Sequence, residues 1–305
     1  MIKVFGHFSP DTDSTGSPLI WAWYLNTIEE RPAEAVLLGP CNTEARFALT
    51  HWGFDTPATM SDLPAGTDVV IVDTNNPAEL PTGINEANIL AIIDHHKLVG
   101  GLETKAPIDI TIRPLACTAT IMHQLIGPDM AKAPRGIKGM MLSCILSDTL
   151  EFRSPTTTET DRMVAQALAE ELGVDIPELA AQMFAAKSDV SAFSEKELLL
   201  MDAKKFEIGG KTLRISVLET TAPAQILSRK DALLAAIPEV AAEDGADAIL
   251  LFIVDILKEE ATLLLPDDLV KQVAAASFGA DTSGDAVVLP GIMSRKKQII
   301  PVLAL

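Results

Sequence analysis

At 305 residues, with 48% hydrophobic and 22% charged residues, the chain is long enough for two domains that each bury a core. A formal net charge of −18 argues against nonspecific binding to nucleic acid or to an anionic membrane surface, so any anionic substrate must meet positive charge supplied locally. Three cysteines (Cys41, Cys117, Cys144), odd in number and without CxxC spacing, point to a reduced, cytoplasmic setting, and no apolar run is long enough for a membrane span.

The N-terminus lacks the basic-then-apolar pattern of a signal peptide. Short apolar runs at Ile2–Phe5, Ala35–Leu38, Asp68–Val72 and Ile89–Ile93 read as strands buried on both faces of a parallel sheet, and the alternating Ile residues of Pro107–Arg113 suit an edge strand. Pro18–Arg31 and Thr43–Trp52 read as helices between them, which predicts a doubly wound α/β domain. Helical stretches follow at Cys117–Ile126, Arg135–Leu150, Thr158–Leu172 and Ile176–Ala186. Residues 188–194 turn polar and are expected to link a first domain, 1–187, to a second, smaller α/β domain, 195–305. There, Glu195–Lys205, Ile226–Ile237 and Asp267–Ala275 read as helices. Thr212–Leu218, Ala248–Val254, Glu260–Leu264, Ala286–Leu289 and Ile299–Val302 read as strands.

Chemistry-bearing residues gather where strands end. Gly6-His7-Phe8-Ser9-Pro10-Asp11-Thr12-Asp13-Ser14 follows the first strand and places a His and two Asp at one point, where open α/β sheets carry ligands. The same residues would also serve as an Asx-turn and helix cap, with Asp13 or Ser14 capping. Asp73 ends the strand Asp68–Val72, Asp94-His95-His96 ends Ile89–Ile93, and Asp148 closes the apolar helix from Gly139. Asp73 would also start a turn with Asn75-Asn76-Pro77, and Asp148 would also cap the next helix, but four Asp and two or three His at such places together favour a metal centre. Carboxylates and imidazoles favour Mn²⁺, Co²⁺ or Mg²⁺, and four carboxylates balance two dications. Two metals about 3.5–4 Å apart generate hydroxide from water and stabilise in-line displacement at phosphorus. Ser294-Arg295-Lys296-Lys297-Gln298 is the densest basic cluster in the chain and suits a small polyanion, whereas local sequence favours reading Lys204 and Lys205 as solvated charges at a helix end.

With these motifs together, the chain resembles the manganese-dependent (family II) inorganic pyrophosphatases of the DHH phosphoesterase superfamily over nearly its whole length. The resemblance implies a DHH domain followed by a DHHA2-like domain, with the active site in the cleft between them, and hydrolysis of pyrophosphate to two orthophosphates. It implies His7, Asp11 and Asp73 on one Mn²⁺ and Asp13, Asp73, His95 and Asp148 on the other, with Co²⁺ as an alternative metal and Mg²⁺ accompanying the substrate. His96 would contact the substrate and act as general acid, and Lys204, Arg295 and Lys296 would hold phosphoryl oxygens, with Lys205 as the alternative to Lys204. Asp94 is expected to support the ligands from behind. Thr74-Asn75-Asn76 departs from the Asp-His-Asn-Glu of many relatives, which bears on the surroundings of the metals. The resemblance also implies a homodimer through the first domain. The competing expectations are a DHH exopolyphosphatase or phosphodiesterase, and a non-catalytic phosphate-sensing module. His51 and His123 are expected to be structural, and Cys117 and Cys144 to be buried, inert thiols.

Overall fold

The apolar runs of the N-terminal half become five parallel strands: β1 (Ile2–Phe5), β2 (Ala33–Ala35), β3 (Asp68–Val72), β4 (Asn88–Asp94) and β5 (Asp109–Ile112), in the order β2-β1-β3-β4-β5. The structure, a computed structural model, describes residues 1–305 and divides into two units, Met1–Lys187 and Ser188–Leu305. In the first, one face of the sheet buries Phe5, Val69, Ile71, Ile89 and Ile92 together. Strands covered on both faces must be continuously apolar, which is why β3 reads Asp-Val-Val-Ile-Val and is buried from Val69 onward.

Six helices complete this unit: α1 (Thr12–Thr27), α2 (Thr43–Trp52), α3 (Thr118–Ile126), α4 (Arg135–Asp148), α5 (Glu159–Leu172) and α6 (Ile176–Lys187). α1 and α4 pack closely at Gly16, where an added Cβ would come within 2.3 Å of the Cys144 sulfur. Gly6 is needed for a similar reason: a Cβ there would collide with the Ser14 hydroxyl, which accepts the His7 backbone N–H at 2.8 Å.

The second unit is a mixed five-stranded sheet of β6 (Ala203–Ile208), β7 (Lys211–Thr220), β8 (Ala248–Asp255), β9 (Glu260–Leu264) and β10 (Ala286–Pro290), in the order β10-β9-β8-β7-β6. Only the β7–β8 pair is parallel. Four helices belong to it: α7 (Glu195–Leu200), α8 (Pro223–Leu227), α9 (Lys230–Asp244) and α10 (Asp268–Phe278). β8 is buried at every position, and its period of two divides the core. Leu250 and Phe252 join Val270 and Val273 of α10, while Ile249, Leu251 and Ile253 join Leu233 and Ile237 of α9. No helix in the chain is long and apolar enough to cross a membrane.

Several element boundaries differ from expectation. The first helix begins at Thr12 and carries Pro18 inside it, because Asp11 caps it by accepting the Ser14 N–H at 2.9 Å. The second strand ends at Ala35, and Leu37 only bridges to Thr59. The single helix expected over Ile226–Ile237 is broken near Arg229, whose guanidinium is turned to Glu195 and to the carbonyls of Val190 and Phe193.

Two differences bear on function. Glu195–Lys205 is not one helix: it stops at Leu200, and Asp202 takes φ +40°. Lys204 and Lys205 then lie in β6, which turns back on β7 through Gly209-Gly210, both at positive φ as a two-residue hairpin loop demands. Ile299–Val302 is not a strand either. Arg295–Ile299 is a π-helical turn running into a short 3₁₀ turn that contains Pro301. Gln298 imposes this by accepting the N–H groups of Met293 and Ser294, both at 2.9 Å, while donating to the Gly291 carbonyl.

Candidate metal centre

Asp73 sits just beyond β3 in the left-handed region (φ +58°), a conformation that short polar residues tolerate best. Its side chain is 2% exposed, and its two oxygens face different imidazoles. His7 Nε2 lies 3.6 Å from Oδ2, and His95 Nε2 lies 3.4 Å from Oδ1, which also accepts the Thr118 hydroxyl at 3.1 Å. Both rings are set from behind: His7 Nδ1 donates to the Phe8 carbonyl at 2.7 Å and His95 Nδ1 to the Leu115 carbonyl at 3.2 Å. Tying Nδ1–H to a carbonyl leaves Nε2 to face the carboxylate, the usual preparation of a metal-ligating histidine.

Asp11, the cap of α1, reaches His7 Nε2 at 3.8 Å. Asp13, one turn into α1, is held on both oxygens: Oδ1 accepts Ser17 Oγ and Oδ2 accepts the Thr118 N–H, each at 2.7 Å. Asp148 ends α4 with its Oδ2 buried and without a hydrogen-bond partner. Ligand atoms within 4.8 Å of one another form three groups: His7, Asp11 and Asp73; Asp73, His95 and His96; and Asp13, Cys117 and Asp148. Each of the six expected ligands falls in one of these groups, and Asp73 is common to two of them. Asp13 and Asp148 group with Cys117, a residue expected only to fill the core.

The electrostatics are those of a site short of positive charge. Burial, followed by the charges of Asp13, Asp11 and Asp148, pushes the Asp73 carboxyl well above the usual range, and burial with Asp13 and Asp11 does the same to Asp148. Burial also raises the Cys117 and Cys144 thiols, with Asp13 and Asp148 adding to it. For His7, burial alone would lower the imidazole, but the hydrogen bonds it donates to Asp11 and to the Phe8 carbonyl outweigh it and push it up to about 9. Repelled carboxylates, a buried oxygen with no partner and two aligned Nε2 atoms fit divalent cations with oxygen and imidazole ligands.

His96 projects from the same strand end with its side chain half exposed. Asp94, fully buried, accepts both its Nδ1–H at 2.9 Å and its backbone N–H at 3.0 Å. The other Asp94 oxygen accepts Asn75 Nδ2 at 2.5 Å, and Asn75 also bonds the Lys97 carbonyl and the Val99 N–H. So Asn75, within the Thr74-Asn75-Asn76 departure, braces the acid that braces His96. The Asp94 hydrogen bond and charge raise the His96 imidazole, with burial opposing. Asp94→Asn is expected to lower the His96 titration midpoint, followed by ¹H–¹⁵N NMR of the ring against pH; an unmoved midpoint would exclude Asp94 as the cause.

In the second unit, Lys204, Arg295 and Lys296 line one pocket of about 500 Å³ with Asp202, Phe206 and Glu219. The strand pleat separates the two lysines. Lys204 faces this pocket, whereas Lys205 is drawn to Asp244, which also pairs with Arg214. Arg295 is held by the carbonyl and carboxylate of Asp202, the latter at 2.8 Å. Ser294 caps the turn and Gln298 locks its loop, so the two ends of the basic motif are structural.

Residues not anticipated from the sequence are Thr118, which donates to both Asp13 and Asp73, Cys117, and the buried Glu44. Nothing in local pattern marks Thr118, and a glutamate in the first turn of a helix is accounted for by the helix dipole alone.

The N-terminal part, residues 1–148, matches the model of the "DHH family, N-terminal domain", and residues 181–304 match the "DHHA2 domain". A Deinococcus radiodurans protein named "Probable manganese-dependent inorganic pyrophosphatase" is 40% identical over 311 aligned positions, covering 99% of this chain and 98% of the relative. A Bacillus velezensis protein of the same name is 36% identical, covering 99% and 97%. Among solved structures, that described as "Methanococcus jannaschii putative family II inorganic pyrophosphatase" superposes with a TM-score of 0.62 at 33% identity, covering 99% of this chain and 98% of the other.

Proposed function

Because this chain belongs to the manganese-dependent inorganic pyrophosphatases, built from a DHH and a DHHA2 domain, we propose that it hydrolyses pyrophosphate to two orthophosphates. The observation that supports this most is Asp73, with one oxygen toward Nε2 of His7 and the other toward Nε2 of His95. In this reading His7, Asp11 and Asp73 would hold one Mn²⁺, and Asp13, Asp73, His95 and Asp148 would hold a second. Co²⁺ would suit the same donors, and Mg²⁺ would accompany the substrate. Such a pair of ions, when bound, supplies a water of lowered pKa and charge stabilisation for displacement at phosphorus.

The remaining work falls to side chains. His96, its Nδ1–H committed to Asp94, has Nε2 left to deliver a proton to the departing phosphate, and the Asp94 hydrogen bond, by raising the imidazole, favours the protonated form. Lys204, Arg295 and Lys296 bind phosphoryl oxygens, Arg295 as a fork and the lysines as point charges. Arg295→Ala should therefore raise KM for pyrophosphate roughly 10- to 100-fold, the worth of a charged hydrogen bond, and leave Mn²⁺ affinity unchanged. Steady-state kinetics at saturating Mn²⁺ checks this; a loss confined to kcat would contradict it.

We place the enzyme in the cytoplasm, supported by three unpaired, buried cysteines, and expect a homodimer through the first unit, where the edge strand β5 leaves Ile110 53% exposed. The deciding assay is orthophosphate release from pyrophosphate, tripolyphosphate and a short oligonucleotide by metal-stripped protein given Mn²⁺, Co²⁺ or Mg²⁺. Pyrophosphate-selective release, restored best by Mn²⁺ or Co²⁺, is expected. Preference for tripolyphosphate or the oligonucleotide would move the protein to an exopolyphosphatase or phosphodiesterase role, and no release would leave a sensing module.

A further inference from the structure

Glu44 is a fully buried carboxylate that the reaction does not use. It lies in the first turn of α2, but the cap there is Asn42, which accepts the Ala45 N–H at 2.8 Å, so its side chain is free to reach inward. A single oxygen, Oε2, accepts Thr12 Oγ1 at 3.0 Å and Ser147 Oγ at 2.7 Å, and lies 3.2 Å from Lys187 Nζ. The other oxygen, Oε1, is buried with no hydrogen-bond partner. A buried charge held by one half-exposed cation and two hydroxyls is costly, and an apolar side chain would fill this space between helices at less cost.

The identity of the two hydroxyl residues explains what the charge accomplishes. Thr12 stands between Asp11 and Asp13, and Ser147 immediately precedes Asp148. α1 brings the first pair of carboxylates and α4 the last, and nothing in the sequence links these segments locally. We propose that Glu44 is a positioning residue for the metal centre, clamping the start of α1 to the end of α4 so that Asp11, Asp13 and Asp148 converge, with Lys187 neutralising the clamp. Three mutually repelling carboxylates need such a tie before any cation arrives, and outer partners of metal ligands commonly set affinity by 10- to 100-fold.

This rests on the metal-centre reading, so the test measures Mn²⁺ binding to metal-stripped, full-length protein by isothermal titration, beside its melting temperature without metal. Glu44→Ala is expected to weaken Mn²⁺ binding about 10- to 100-fold. Glu44→Gln, which keeps an acceptor for Thr12 and Ser147 but loses the ion pair, should weaken it less. Combined with Ser147→Ala, Glu44→Ala should add little beyond its own effect, as coupled partners do. At saturating Mn²⁺ the KM for pyrophosphate should stay near wild type. A folded Glu44→Ala with wild-type Mn²⁺ affinity and only a lower melting temperature would overturn the proposal. If Glu44→Ala does not fold, Thr12→Val and Ser147→Ala take its place, and wild-type affinity in both would overturn it equally. Wild-type protein that binds no Mn²⁺ would overturn the metal-centre reading itself.

Discussion

Asp73→Asn is expected to reduce pyrophosphate hydrolysis by at least ~100-fold, beyond the range seen when only an outer partner of a metal ligand is lost. The substitution keeps the shape of the side chain and suits the left-handed backbone at φ +58°, so the fold should survive it. What it removes is the charge shared between the two imidazoles. In metal-free protein that charge is unfavourable, since burial and the neighbouring Asp13, Asp11 and Asp148 already push the carboxyl well up. The variant should therefore melt, without metal, at or above the wild-type temperature while failing to turn over. Phosphate release and thermal melts on the same preparations check both halves; wild-type turnover would remove Asp73 from the centre.

The second large effect is on stability. Manganese at about 100 times its dissociation constant should stabilise the protein by roughly 2.7 kcal/mol, or about 5–10 °C for a unit of this size. The shift should be larger at pH 8 than at pH 6. Asp73 and Asp148, raised in the fold, contribute stability that is complete below the ordinary carboxylate range and is lost as pH rises through their folded values. His7, raised to about 9, contributes stability complete below 6.5 and lost as pH rises toward 9. Asp11 and Asp94, lowered in the fold, act in the opposite sense, but only as pH falls below the ordinary carboxylate range. Between pH 6 and pH 8 the metal-free protein thus loses part of the stabilisation from protonated His7, and fewer protons must be displaced for a cation to bind. Differential scanning calorimetry with and without Mn²⁺ at both pH values checks this; an equal or larger shift at pH 6 would contradict it.

Much of the candidate site was legible because parallel strands announce themselves as unbroken apolar runs and their C-terminal ends are where such sheets carry ligands. That rule gathers His7, Asp73 and the pair His95-His96 at one sheet edge, as their short separations in the fold bear out, whereas choosing His95 over His96 as a ligand came only from the family resemblance. The second unit was harder to read. Lys204 and Lys205 look like the basic end of a helix until Gly209-Gly210 is taken as a hairpin loop, which makes them neighbours on opposite faces of a strand and separates a pocket lysine from a structural one. Ile299–Val302 has strand composition, yet side-chain bonds of Gln298 coil the segment before it. Thr118 and Glu44 were invisible for another reason: their partners lie far away in sequence, and no local periodicity encodes a contact between Glu44 and Ser147.

The most direct test of the account is a Mn²⁺ titration of metal-stripped protein in which bound metal and pyrophosphate hydrolysis are followed together. Binding that saturates at two ions per chain, with turnover appearing as the second site fills, is the predicted result. Full turnover in metal-free protein, or saturation at a single ion with full activity, would contradict it.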